Sequence, residues 1–353
     1  MKCLENINRI QIGNNLMIQL FNLYYQKGKA HYYKDIFASD ESKIIKQTLE
    51  HDIIAIGEFL ELNITKPRLK LLASQRREYV AKNNEEKLLL NIKSALERIQ
   101  SLGDDFSLIL NEVIDLTNIL FRDLKKVKFV KKGVLKEGII IPFEKMPSKD
   151  QLTNLFIKFN QIRRHKKHEL LTIISNFYVD FVMIRPYTEH NELIALILIY
   201  TIIAKEFKVC SYDSFFTTLN RFKKRFADAL VFSFYDWDNG NSQTEPLTKV
   251  FVDALEIMHT NVETLERAYR FDSNLNKTDI IEAIIMRGPS VFSKKDIREQ
   301  VPLASESTIN RTLSLLKAQK IIVPLGQGRS AKWQRVVGRT EKFKVESLNL
   351  FNE

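Results

Sequence analysis

Two apolar runs, residues 170–183 and 193–207, follow each other closely in a chain of 353 residues. Each places apolar side chains on nearly every face of a helix, and such a helix must be enclosed by protein or by lipid. Neither run reaches the roughly 18 residues that a membrane span requires. The pair is therefore expected at the centre of a helical protein body. Between them stands IRPYTEHNEL, residues 184–193. A polar bend between two buried rods can hold a ligand, or it can simply turn the chain.

The remainder is consistent with a helical body. Only 11 glycines and 8 prolines interrupt it. Residues 40–62 carry Ile44, Ile45, Leu49, Ile53, Ile56 and Leu60 at helical spacing. Asn84 is placed to cap a helix running to residue 102, with Glu85 and Glu86 in its first turn. Residues 106–127, 150–164, 211–234 and 246–269 read as further helices. Residues 128–143 differ: two β-rich runs around Gly133 and Gly138 predict a hairpin, closed by Pro142 and Pro147. The turn formers of 236–246 predict a loop or a domain boundary. There is no internal repeat.

With 44% hydrophobic and 27% charged residues, the composition is that of a soluble globular protein. The first ten residues, MKCLENINRI, lack the apolar stretch of an export signal, and Cys3 and Cys210 are isolated. The expectation is a cytoplasmic protein with no membrane partner. His165 and His168 lie in a basic turn that would repel a divalent ion. Asp236, Asp238 and Asn239 faintly resemble a calcium loop but lack its terminal glutamate, so a plain turn is expected. Gly-rich phosphate loops and GxSxG elbows are absent from the sequence.

The net charge is +11, and residues 276–339 hold twelve Lys and Arg against five Asp and Glu. This last part is built differently. Residues 278–286 form a helix, Ser293 to Asp296 has capping-box spacing for a second, and 305–320 make a third. A strand, a glycine turn at Gly326 and Gly328, and a second strand follow. The order resembles a winged helix-turn-helix domain over about 65 residues. In that family the third helix enters the major groove of DNA. Ile309, Leu313 and Leu316 share its inner face. Asn310 and Arg311 then point outward, with useful geometry for base edges. Ser305, Ser307 and Thr308 offer short phosphate donors, and Arg329, Lys332 and Arg335 charge the wing. Glu306 opposes phosphate. Winged helices also dock proteins, and that alternative stays open.

The central bend carries a second resemblance. A Pro-aromatic-x-acid-x-Asn loop between two core helices resembles the Fic family, whose motif is H-P-F-x-[DE]-G-N-G-R. Pro186, Glu189 and Asn191 match it, and Tyr187 replaces the Phe. Arg185 occupies the His position, His190 and Glu192 the two glycines, and Leu193 the arginine. Residues 128–143 resemble the family's flap, which aligns a target protein segment by strand addition. Roughly residues 40–340 fit the order of elements. The resemblance implies a mainly α fold, a Fic-like helical bundle with a β-hairpin flap, plus the C-terminal winged helix.

Fic proteins mostly transfer AMP from ATP to a target hydroxyl. The motif His is the base, the acid holds Mg²⁺, and the glycine turn cradles phosphate. A guanidinium at 185 cannot accept a proton near neutral pH, and loss of a general base costs on the order of 10²–10⁴ in rate. Glu192 opposes phosphate and Leu193 removes a cation. The expectation is an impaired enzyme acting as a DNA-binding or regulatory module. The alternatives are an active adenylyltransferase and a protein-docking scaffold. No cofactor is expected; ATP, with Mg²⁺ on Glu189, would follow only if nucleotide binding persists, and Arg185 could then contact phosphate. Homodimers are compatible with this reading. Glu58 is the best candidate for the family's inhibitory glutamate, although Ile54 and Phe59 depart from that motif. The expected divisions are 1–125, a helical region; 126–235, the Fic-like core; 236–275, a connection; 276–340, the winged helix; and 341–353, a tail.

Overall fold

Several helix starts in this protein are set by side chains that satisfy first-turn amides. In the computed structural model, Asn83 accepts from Glu86 N, Glu169 from Leu171 N and Thr172 N, Ser214 from Thr217 N, and Ser305 from Thr308 N. A full capping box at Ser293 and Asp296 opens the helix Lys294–Gln300. The structure describes residues 1–353 except 39, 75–79, 132–142, 275–276, 303, 327–331 and 337–353.

The chain divides into two units, Met1–Leu265 and Glu266–Glu353. In the first, short α1 (Lys2–Glu5) precedes α2 (Asn14–Lys29) and α3 (Tyr33–Phe37). Then come α4 (Glu41–Phe59), α5 (Lys66–Ser74), α6 (Asn84–Leu102) and α7 (Leu110–Leu120). The central group is α8 (Ser148–His165), α9 (Leu170–Ile184) and α10 (Asn191–Glu206). α11 (Phe215–Arg221), α12 (Lys223–Phe234) and α13 (Glu245–Asn274) complete the helices that begin in this unit.

α9 packs against α10, α8, α1 and α12. Nearly all of α9 and α10 is buried, including Phe177, Phe181, Ile194 and Ile199 at 0% exposure. This is the consequence of their all-round apolar character. Two buried carboxylates fasten other elements to this centre. Asp180 of α9 accepts from Cys3 N, Leu4 N and Trp237 Nε1 at 2.9, 2.9 and 2.8 Å. Asp52 of α4 accepts from Ser214 Oγ, Phe216 N and Tyr200 Oη at 2.7, 3.0 and 3.2 Å, joining α4 to α10 and α11.

Several boundaries differ from the sequence expectation. Asn83, not Asn84, caps α6. The helix expected over 106–127 is shorter, because Phe106 is extended and Phe121 leaves helical geometry. The helix expected over 211–234 breaks at Phe222, which closes α11 and opens α12. The turn formers of 236–246 make a 3₁₀ turn and a loop inside the first unit. The tip of the expected flap, residues 132–142, lies outside the described residues, as does the tail from 341.

The second unit contains α14 (Lys277–Arg287), β1 (Val291–Ser293), α15 (Lys294–Gln300), α16 (Glu306–Ala318), β2 (Ile322–Pro324) and β3 (Lys332–Arg335). The strands form an antiparallel sheet in the order β1-β3-β2, with Val291 and Val323 both opposite Gln334. β1 is an addition to the expected pattern; its last residue, Ser293, is also the N-cap of the capping box. Ile281, Phe292, Ile297, Leu313 and Leu316 fill this unit's own core. Among the described residues, no helix is long and apolar enough to cross a membrane.

Candidate functional site

α9 ends because Arg185 turns into the left-handed region, at φ 48°, and Pro186 cannot continue the helix. The chain then pairs with residues 128–130. Pro186 O accepts from Val130 N and Lys128 O from Thr188 N, both at 2.9 Å. Phe129 and Tyr187 face each other in an isolated antiparallel bridge, their rings stacked at 4.6 Å. Tyr187 is buried, and its hydroxyl meets Thr117 Oγ1 at 3.4 Å. The described base of the expected flap, residues 128–131, is therefore paired with the bend.

Asn191 locks the bend from the other side. Its Oδ1 accepts from Tyr187 N at 3.0 Å and its Nδ2 donates to Tyr187 O at 2.8 Å. This buried side chain reproduces what a neighbouring strand would offer one residue. His190 precedes it in a left-handed conformation, at φ 61°, and stacks on Phe121 at 4.9 Å. The resemblance places a glycine here, which would take that conformation without a Cβ penalty. Histidine tolerates it better than most residues, and the Phe121 contact supports it.

The electrostatics of the bend are mixed. α10 begins at Asn191 with no side-chain cap, so its first amides are placed to favour an anion. Glu192, exposed in that first turn, supplies the negative charge itself. Its charge and, more strongly, burial push the Tyr178 phenol up from its ordinary value. Glu189 pairs with Lys125 at 3.0 Å, and its other oxygen is 3.9 Å from His190 Nε2. Arg185 is exposed, Pro186 buried and Leu193 7% exposed. Thus Glu189 and His190 meet beside Phe121 and Lys125, whereas Leu193 turns into the core. Glu58, at the end of α4, pairs with Lys66 at 3.6 Å.

The nucleic-acid candidates lie in the second unit. Ser305 Oγ caps α16 and stands 2.7 Å from both Ser307 Oγ and Thr308 Oγ1. Asn310 and Arg311 are exposed on α16, as is Lys332 on β3. Ile309, Leu313 and Leu316 are buried, as their spacing predicts. Glu306 has a cation, Arg298, 3.8 Å away. Arg335 is differently placed: its Nη1 donates to the carbonyls of Ile285 and Met286 near the end of α14. Arg329 lies outside the described residues.

Sequence reasoning did not single out Phe121, Lys125 and Phe129, which fix the bend, because they act from distant chain positions. Asn176 and Asp180 were also passed over. Their signal was visible: an amide and a carboxyl inside a helix whose other side chains are apolar or carry only a hydroxyl.

Comparison with known proteins adds the fold. No protein-family model matches the chain, and no curated protein sequence does. Solved structures do match. A Fic family protein from Desulfovibrio desulfuricans G20 aligns over 94% of this chain and 98% of its own, with TM-score 0.55 and 13% identity. A Fic domain containing signaling protein from Bacteroides thetaiotaomicron VPI-5482 aligns over 70% of this chain and 98% of its own, with TM-score 0.50 and 14% identity. The chain has a mainly helical, Fic-like fold.

Proposed function

We propose that this Fic-like chain is a DNA-binding regulator that uses its C-terminal unit as a winged helix, and that the bend at 185–193 no longer transfers AMP. One observation carries the DNA reading. α16 buries Ile309, Leu313 and Leu316 and leaves Ser307, Asn310, Arg311, Ser314 and Lys317 exposed. That face offers amide and guanidinium groups suited to base edges, hydroxyls suited to phosphate, and a net positive charge. Titration of labelled random duplex DNA across salt concentrations tests it. Affinity should fall steeply with salt, and Arg311→Ala should weaken it. Salt-independent or absent binding would leave protein docking as the role of this unit.

The loss of transfer follows from the loop chemistry. Arg185 cannot serve as a base, His190 is stacked on Phe121, and the start of α10 carries its own anion in Glu192. An active transferase has one feature in its favour, the half-exposed carboxylate of Glu189, which suits Mg²⁺. Incubation with ATP labelled on its α-phosphate separates the readings. AMP transfer that disappears in Glu189→Ala would establish the active enzyme. In the proposed reading the protein works in the cytoplasm, where DNA is accessible.

A further inference from the structure

A polar cavity of about 350 Å³ lies between the N-terminal segment, the middle of α9 and the start of α13. Asn6, Arg9, Asn176, Ser242, Thr244 and Glu245 contribute to its wall. Its size falls in the range of small-molecule sites, about 300–1,000 Å³. No residue of the bend at 185–193 lines it.

Asn176 gives the cavity direction. It is 0% exposed, within the apolar surface of α9. Its Nδ2 donates to Thr172 O at 2.8 Å and to Thr244 Oγ1 at 3.0 Å. A carbonyl can only accept, so the amide orientation is fixed by Thr172. Oδ1 is left as a buried acceptor with no protein partner. Buried polar atoms are normally paired, and an unpaired one calls for an explanation. Ser242 Oγ, on the same wall, is also buried, with the Cys3 thiol as its hydrogen-bonding neighbour. The Cys3 thiol beside it is held neutral, because burial first and Asp180 second push its ionisation up. The cavity is thus not built around a reactive thiolate.

The charged groups of the wall complete the pattern. Arg9 is exposed, and Glu245 is partly exposed with Oε1 accepting from Gly13 N at 3.0 Å. Among the described residues, no Phe, Tyr or Trp lines the space, so they offer no platform for a flat aromatic base. A buried acceptor, a hydroxyl, a guanidinium and a carboxylate together suit a compact molecule carrying both a cation and an anion. We propose that this cavity binds a free α-amino acid, with its ammonium donating to Asn176 Oδ1 and Ser242 Oγ and its carboxylate held by Arg9. The ligand would join the N-terminal segment, α9 and α13 through one set of polar contacts.

Thermal melts of the full chain with each of the twenty standard amino acids test the proposal, with glycerol and glucose as uncharged polar controls. At least one amino acid should raise the midpoint by about 3–5 °C when present about 100-fold above its Kd. Calorimetric titration of that amino acid into Arg9→Ala should show affinity reduced about tenfold or more, the loss of one charge-assisted contact. Arg9 is exposed, so this variant is expected to fold; Glu245→Gln, which retains an acceptor for Gly13 N, provides a second folded variant and should also bind more weakly. No shift with any amino acid would overturn the proposal and mark the cavity as a hydrated space. So would a shift matched by the polyols, or one that both variants leave unchanged.

Discussion

Asn191 and Tyr187 close a two-bond ring: the Asn191 amide accepts from Tyr187 N at 3.0 Å and donates to Tyr187 O at 2.8 Å. The ring puts Asn191 to work in backbone geometry, and it makes no demand on a nucleotide. Asn191→Ala should leave a buried amide and a buried carbonyl without partners, costing about 2–4 kcal/mol. Asn191→Asp should cost at least as much, because a carboxylate would face the Tyr187 carbonyl. Urea denaturation of the full chain measures both. A loss below about 0.5 kcal/mol in each would show that the ring does not hold the bend.

The Asp52 carboxyl makes stability depend on pH near neutrality. Burial raises its pKa from 3.8 to about 7, against the opposing effect of its hydrogen bonds from Ser214, Phe216 and Tyr200. The folded state therefore binds a proton that the unfolded state releases between those values. Its stabilising contribution is complete below the unfolded pKa and is lost as pH rises through about 7. Denaturation midpoints should carry this decline between about pH 4 and pH 7 and level off above it. Asp52→Asn, which mimics the protonated form, should flatten that decline.

His259 works in the opposite sense. It is 0% exposed, and burial lowers its pKa from 6.5 to about 4. Its neutral ring, 3.4 Å from Tyr33 Oη, stabilises the fold above the unfolded pKa. That contribution is lost as pH falls from about 6.5 towards about 4. Unfolding followed from pH 7 down to pH 4.5 should show this acid limb, and His259→Phe should reduce its slope. An unchanged slope would assign the limb to other groups.

Lys332 and Arg335 lie on the same strand but should respond differently. Lys332 is exposed, so Lys332→Ala should reduce the magnitude of the salt slope of DNA binding by about 1. Arg335 donates to carbonyls at the end of α14. Arg335→Ala should therefore destabilise the C-terminal unit by about 1–2 kcal/mol. Salt-dependent binding and circular-dichroism melts of both variants separate the roles. A reduced salt slope for Arg335→Ala with unchanged melting would make it a DNA contact instead.

Much of the architecture was written in local pattern. The uniformly apolar runs required buried central helices, because no other environment accepts such surfaces. Ile309, Leu313 and Leu316 identified the inner face of α16 by spacing alone. Ser293 and Asp296 announced a capping box that the structure contains. These signals are readable because helix periodicity and caps depend on residues a few positions apart. The break at Phe222 was not readable, since each half of 211–234 satisfies helical spacing and the break is a matter of how the two halves pack.

What the sequence alone determined at the bend was its inventory: a permanent cation, an acid, an asparagine and no glycine. Tertiary structure decided what these groups do. Only folding brings Lys125 to Glu189, Phe121 to His190 and Phe129 to Tyr187. Only folding places Asn176, with its buried unpaired acceptor, in the wall of a polar cavity. The reason is that a side chain's chemistry resides in its own atoms, whereas its partners and its access to solvent are set by residues that are distant along the chain.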